Sequence, residues 1–203
     1  MDLWSRIAGQ FGRPSGIFGR LAGVIMANRS SNLERNTWAV SLLELKSADR
    51  VLEIGFGPGV AIQKMSEIVT DGIVWGIDHS AVMLEQASRR NHAVISEGRV
   101  KLLLSSVSDA PDLGGSLDKV LDINSFQFWD SPVESLQKVR RVLRDGGRIV
   151  LVHQPRKPGA KERDTDDAGE RFARYLREAG FRDIAIKKRE MKPVPAVGVI
   201  GFK

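Results

Sequence analysis

Cysteine is absent from the 203 residues. That excludes disulfides, thiolate zinc sites and a cysteine nucleophile. Histidine is nearly as scarce. His79, His92 and His153 stand far apart, with no HxH or HxxxH pair, so no metal is expected. Long apolar runs are missing too. Arg6, Arg13 and Arg20 interrupt the N-terminal apolar stretches, and the best run, residues 21–27, is far too short to span a bilayer. No secretory pattern opens the chain, and the expected location is the cytoplasm.

Charge is plentiful and leans one way. The net charge is +6 and the isoelectric point near 9.8, a balance that suits nucleic acid, anionic lipid or a negatively charged small substrate. The basic residues are scattered among acids, however. The tightest cluster, Lys187-Lys188-Arg189, lacks the interleaved aromatics of a nucleic-acid groove. The main expectation is a small-molecule partner, with nucleic acid disfavoured, and a chain that is a monomer or a homodimer.

Residues 1–47 read as a helical cap segment. Leu3, Trp4, Ile7 and Phe11 share one face, as do Ile17, Phe18, Leu21, Val24 and Ile25, with Gly12, Pro14 and Gly16 breaking the chain between. A third helix spans about residues 33–45, carrying Trp38, Leu42 and Leu45 inward. Phe11, Phe18 and Trp38 could wall a substrate pocket, although apolar stripes at helical spacing more often face the core. The basic, amphipathic character of this segment also permits peripheral contact with anionic lipid, which its many glycines weaken.

Residues 48–203 form one domain in which strands and helices alternate. Strands are predicted at 51–54, 73–77, 100–104, 119–123 and 148–152, with a closing pair at 181–190 and 194–202. Helices are predicted at 60–69, from Ser80 to Arg90, from Ser131 to the Gly146-Gly147 stop, and around Phe172, Tyr175, Leu176 and Ala179. Ser131-Pro132-Val133-Glu134 carries an N-cap, a first-turn proline and a capping-box glutamate. Residues 155–167 are the one stretch that reads as a disordered loop or a small lid. Strands separated by helices of this length imply right-handed crossovers and a mostly parallel sheet.

The informative segment is Val51-Leu52-Glu53-Ile54-Gly55-Phe56-Gly57-Pro58-Gly59. A strand running into closely spaced glycines puts backbone amides beside a ligand, because glycine alone permits such close approach and positive φ. The spacing is GxGxG rather than the GxGxxG of nicotinamide folds. Glu53 precedes the first glycine by two residues. Asp78 ends the second strand, where a carboxylate can accept hydrogen bonds from both ribose hydroxyls. Dehydrogenases also carry an acid there, so Asp78 alone leaves a nicotinamide- or nucleotide-binding protein open.

From Arg50 onward the chain resembles the class I, S-adenosylmethionine-dependent methyltransferases. The glycine strand and Asp78 match the family's first two motifs. Gly76-Ile77-Asp78-His79-Ser80 with Met83-Leu84 and Ala87 is similar to its "GID-S-ML--A" run, and Arg141-Val142-Leu143-Arg144-Asp145-Gly146-Gly147 to its "RVL-PGG", with Asp145 where proline is usual. The resemblance implies a three-layer α/β/α Rossmann-like fold whose seven-stranded, mostly parallel sheet has an antiparallel last strand. It also implies S-adenosyl-L-methionine as cofactor, S-adenosyl-L-homocysteine as product, and no metal.

Carried over residue by residue, it sets Gly55, Phe56, Gly57 and Gly59 against the cofactor's methionine and ribose portion, and Glu53 near the methionine ammonium. Asp78 would bind the ribose, with His79 and Met83 lining the adenine. The family usually has an acid after the third strand. Here Ser106 takes that place beside the Val107 amide, unless a slipped register brings in Asp109. Asn124, ending the fourth strand, would touch the methionine or the substrate. The [ND]-P-P-[YFW] motif of base and amide nitrogen methylation is absent, since the chain reads Asn124-Ser125-Phe126. His153 and Asn124 are weak catalytic candidates, with Asp122, Asp130 and Tyr175 weaker still. The function expected is methyl transfer to a small molecule by in-line displacement. A lipid head group or RNA as acceptor is the alternative.

Overall fold

The computed structural model describes residues 30–110 and 113–203; the expectations for the helices before residue 30, and for Phe11 and Phe18, lie outside them. The elements run α1 (Ser30–Leu43), β1 (Arg50–Ile54), α2 (Val60–Ile68), β2 (Ile73–Asp78), α3 (Ala81–Arg90), a short α4 (His92–Ser96), β3 (Val100–Leu104) and β4 (Leu117–Ile123). A single 3-10 turn (Phe126–Phe128) precedes α5 (Pro132–Val142), β5 (Leu143–His153), α6 (Glu162–Glu178), β6 (Arg182–Arg189) and β7 (Ala196–Phe202). The seven strands form one sheet ordered β3-β2-β1-β4-β5-β7-β6. Pairings among β1 to β5 are parallel, and β7 runs antiparallel to both β5 and β6. The expected Rossmann-like architecture is therefore present.

Two-residue alternation along each strand divides the core between two faces. Leu52, Ile54, Val120, Ile149, Leu151, Val197 and Val199 pack with Leu136 and Val139 of α5 and Phe172, Ala173 and Leu176 of α6. Val51, Val74, Leu121, Val150, Val152 and Ile200 point the other way, against α1, α2 and α3 through Leu42, Leu43, Ile62, Met65 and Met83. The same parity directs Glu53, Asp78 and Gln154 toward the α1–α3 layer, and Asp122 and His153 toward the α5–α6 layer.

Trp38 and Leu42 face inward as expected and pack on β7, where a Cβ added at Gly198 would lie 3.3 Å and 2.6 Å from them. Three expectations need correction. Helix α5 stops at Val142 and β5 begins at Leu143, well before Gly146-Gly147; a register shift between Leu117 and Lys119 on β4 accommodates the longer strand. Ser131 makes no side-chain cap, so proline at the start and tertiary packing specify α5 without the capping box. Residues 162–167 are no loop but the first turns of α6, fastened where Asp164 accepts from the Lys161 amide (2.8 Å) and the Lys157 ammonium (2.7 Å).

The ends of β1 and β4 are clipped together by Asp122, which is fully buried. Its carboxylate accepts from the Ser125 and Phe126 amides, at 3.1 and 2.9 Å, and from the Ser125 hydroxyl. Ser125 Oγ also lies 3.2 Å from the Ile54 carbonyl. Burial pushes the Asp122 carboxyl up to about 6, against the pull of these three donors. The folded pKa lies above the unfolded one, so this group's contribution to stability is complete below pH 4 and is lost as pH rises toward 6. At ~1.4 kcal/mol for each tenfold displacement, the loss amounts to roughly 3 kcal/mol. Asp122→Asn is expected to flatten stability against pH between about pH 4 and 6, as measured by urea unfolding. An unchanged slope would show that Asp122 ionises as freely in the folded chain as in the unfolded one.

Candidate functional site

The glycine turn lies at the carboxyl edge of the sheet, where ligands bind in open α/β folds. Gly55 and Gly57 have φ of 73° and 51°. A Cβ on Gly55 would fall 2.4 Å from Ser125 Cβ, so the turns after β1 and β4 touch and only glycine fits between them. At Gly57 nothing lies within 4 Å of the same position. One glycine thus closes the floor, and the other faces open space with its backbone bare.

Asp78 fastens this turn. Its Oδ2 accepts from the Gly57 amide and its Oδ1 from the Ser80 amide, both at 2.9 Å. Ser80 in turn caps α3 by accepting from the Met83 amide at 3.4 Å. Burial raises the Asp78 carboxyl, and the two amides oppose that rise. Glu53, 2% exposed, lies on the same face one strand away. Its Oε2 has no hydrogen-bond partner. Burial, then the neighbouring charges of Asp122 and Asp78, push its carboxyl well above the usual range, with only the Ile62 amide opposing them. A buried carboxylate oxygen without a donor, on the strand that leads into an open glycine turn, suits a cationic ligand.

The remaining residues fall into distinct surroundings. Phe56 and Met83 are core side chains, so Phe56 presents only backbone to the turn. His79 is exposed beside Asp78. Ser106 and Asp109 share the turn after β3, where the Ser106 hydroxyl donates to Asp109 Oδ2 at 2.7 Å, and Val107 packs partly buried beside them. Asn124 takes a left-handed conformation with φ of 58°. Its Oδ1 accepts from the Gln154 amide at 2.8 Å and its amide donates to the Val152 carbonyl at 2.9 Å. These bonds join the ends of β4 and β5 without using Nδ2.

His153 ends β5 with its ring 5.7 Å from that of Phe172. Its Nδ1 is buried without a partner. Burial, then the charges of Arg171 and Arg35, lower its pKa to about 4, which makes it neutral at pH 7 and a weak base. Tyr175 and Asp130 line a cavity of about 290 Å³ together with Phe126, Gln127, Trp129, Pro132, Arg171 and Phe172. Asp122, as described, serves the turn.

Two residues at this edge escaped sequence reasoning. Arg35 of α1 is 6% exposed and donates through Nη1 to Gln154 Oε1 at 2.8 Å and through Nη2 to Asn32 Oδ1. Gln154 is fully buried and donates through Nε2 to the carbonyls of Lys192 and Val194, at 3.2 and 2.7 Å. No spacing announces them, because an arginine on an amphipathic helix reads as a solvent-facing residue. Among the described residues, no cluster of three or more acidic or histidine side chains could hold a metal.

Residues 51–147 match the family model for a methyltransferase domain. The chain is 32% identical over 173 residues to an uncharacterised methyltransferase, YdaC, of Bacillus subtilis (strain 168), a match covering 85% of this chain and 92% of that one. Among solved structures it is similar to an S-adenosylmethionine-dependent methyltransferase from Aquifex aeolicus, with a TM-score of 0.68, 21% identity and coverage of 86% and 93%. It is also similar to the magnesium protoporphyrin IX methyltransferase of Synechocystis with bound S-adenosylmethionine, with a TM-score of 0.69, 16% identity and coverage of 100% and 98%. The two structures share the fold, but it is the likeness to YdaC along nearly its whole length that decides the family: the chain belongs to the class I, S-adenosylmethionine-dependent methyltransferases.

Proposed function

We propose that the chain methylates a small-molecule acceptor lying over the carboxyl ends of β4 and β5, with the cofactor held over β1 and β2. The observation that carries the cofactor placement is the unpartnered Glu53 oxygen on the strand that leads into the open turn at Gly57. When bound, S-adenosylmethionine supplies a methyl group already activated on a positively charged sulfur. The chain's own residues have to hold, align and exclude water.

Glu53 receives the methionine ammonium, which relieves the crowding of buried carboxylates. Asp78 keeps a further lone pair on each oxygen for the ribose hydroxyls while its backbone bonds stay in place. The glycine turn from Gly55 to Gly59, lacking side chains at three of its five positions, lets the methionine and ribose portion of the cofactor lie close against its backbone. His79, Ser106 and Val107 border the adenine end, with Met83 packed beneath, and Asn124 Nδ2 donates toward the methionine or the acceptor. A general base is needed only if the nucleophile arrives protonated, and the depressed His153 suits an acceptor that loses its proton readily.

A small acceptor fits the surroundings. The cavity between the β4–α5 turn and α6 has aromatic walls and the size of a small-molecule site. The tightest basic cluster is meanwhile occupied by its own acids. Lys188 pairs with Glu162 and Asp166 at 2.5 and 2.8 Å, and Arg189 with Glu34 at 3.6 Å. No helix among the described residues is long and apolar enough to cross a membrane.

Asp78→Ala is expected to weaken S-adenosylhomocysteine binding at least ~10-fold in calorimetry, the loss of charge-assisted bonds worth roughly 1.5–3 kcal/mol each; near-normal binding would remove the ribose assignment. In the wild type, affinity should climb as pH rises through the elevated Glu53 titration, because only the ionised carboxylate attracts the ammonium. Glu53→Gln should bind more weakly and lose that climb, and the same pH response in both proteins would move the ammonium elsewhere. In thermal melts, S-adenosylmethionine and S-adenosylhomocysteine should raise the midpoint while NAD leaves it unchanged. Stabilisation by NAD alone would overturn the cofactor placement.

A further inference from the structure

The end of β5 carries positive charge that the cofactor reading does not use. Gln154 points to the α1–α3 layer and holds Arg35, while His153 points to the α5–α6 layer beside Phe172, which lies under Arg171 at 5.6 Å. Arginines from opposite layers therefore flank the same two residues, and the charges of both act on His153. Neither Arg35 nor Arg171 has an acidic partner among the described residues. The stretches outside those residues hold two acids, Asp2 and Asp112, against Arg6, Arg13, Arg20 and Arg29.

Arg35 is the costly member of this group. Its guanidinium is buried against two neutral amides, its Nε has no partner, and burial together with Arg156 lowers its pKa to about 9. A helix latch onto Gln154 needs a hydrogen-bond donor and no charge. Burying a guanidinium without a counter-ion carries a desolvation cost that a neutral side chain would avoid. The charge thus has a use beyond packing, and the Arg35 Nε and His153 Nδ1 both stand without hydrogen-bond partners.

We infer that the acceptor carries a carboxylate or phosphate group that docks between Arg35 and Arg171 above the end of β5. This rests on the methyltransferase reading above and adds the acceptor's chemical class to it. The aromatic walls beside Arg171, formed by Phe126, Trp129, Phe172 and Tyr175, take the apolar body of the same molecule. Docking the anion over β5 points its reactive atom back toward Asn124, whose Oδ1 bond to the Gln154 amide ties the two subsites together.

The test is a titration of inorganic phosphate, and separately of acetate, into the full chain saturated with S-adenosylhomocysteine, at ionic strength held constant with chloride. The Arg35 Nε–H and His153 ring signals are followed by NMR. Both signals should move saturably with phosphate or acetate and not with chloride, and His153 should titrate at higher pH once the anion is bound. Whichever anion binds tighter identifies the group. Arg171→Ala, a change on the exposed side of α6, should weaken the anion about tenfold, the scale of one charge-assisted bond, and Arg35→Gln should abolish the response of the His153 ring.

The inference is overturned if neither anion moves the signals, or if Arg171→Ala binds as the wild type does. It is equally overturned if S-adenosylhomocysteine alone moves the Arg35 signal and blocks phosphate, which would assign Arg35 to the cofactor's own carboxylate. Calorimetry with S-adenosylhomocysteine is read independently. Failure there, with phosphate still bound, would count against the cofactor placement and leave the anion site standing.

Discussion

The bond on which the site depends is the one between the Asp78 carboxylate and the amide of Gly57. It holds a bare stretch of backbone in an open conformation at the edge of the sheet. The same carboxylate's second oxygen starts α3 through the Ser80 amide. One side chain thereby sets the position of the glycine turn, the end of β2 and the entry to the next helix. Such a carboxylate has to be buried to reach two amides at once, and burial raises its pKa. Further hydrogen-bond donors, such as the ribose hydroxyls of the proposed cofactor, would favour the ionised form and offset that cost.

The carboxyl edge of the sheet is consequently polarised. Glu53, Asp78 and Asp122 put three buried acids at the ends of β1, β2 and β4, in a chain whose overall charge is +6. One strand further, Arg35, Arg171 and a neutral His153 reverse the sign at the end of β5. Field effects of this kind are strong because the walls exclude water. A positively charged donor and a negatively charged acceptor would be sorted to opposite ends of the same edge before any specific contact forms.

Much of this was legible in the residues. The GxGxG strand, the acid ending the second strand and the alternation of strand with helix specified the sheet and its cofactor edge, because close backbone approach and two-residue periodicity leave direct marks on sequence. What escaped was tertiary in origin. Trp38 read as inward-facing but its partner, β7, did not, since amphipathic spacing says that a face is buried but not against what. Asp122 looked like a weak catalytic acid and proves to be a turn clip, because its partners are the amides of Ser125 and Phe126 that any sequence would supply. The polar stretch 155–167 looked irregular, yet α6 begins within it at Glu162. Arg35 carried no signal at all, for its meaning comes from Gln154, a residue 119 positions away.

The place of β7 has a consequence for how the molecule is made. It follows β6 in the chain, yet it is inserted between β5 and β6. On a translating ribosome, β1 to β5 can assemble while the free side of β5 stays unsheltered and β6 has no neighbour to join. Exposed strand flanks of that kind invite pairing with foreign chains. The apolar run of Val197, Val199 and Ile200, buried on both faces of the sheet, is therefore the closing piece of biosynthesis as well as of the sheet, and shortened chains lacking it should be the aggregating ones.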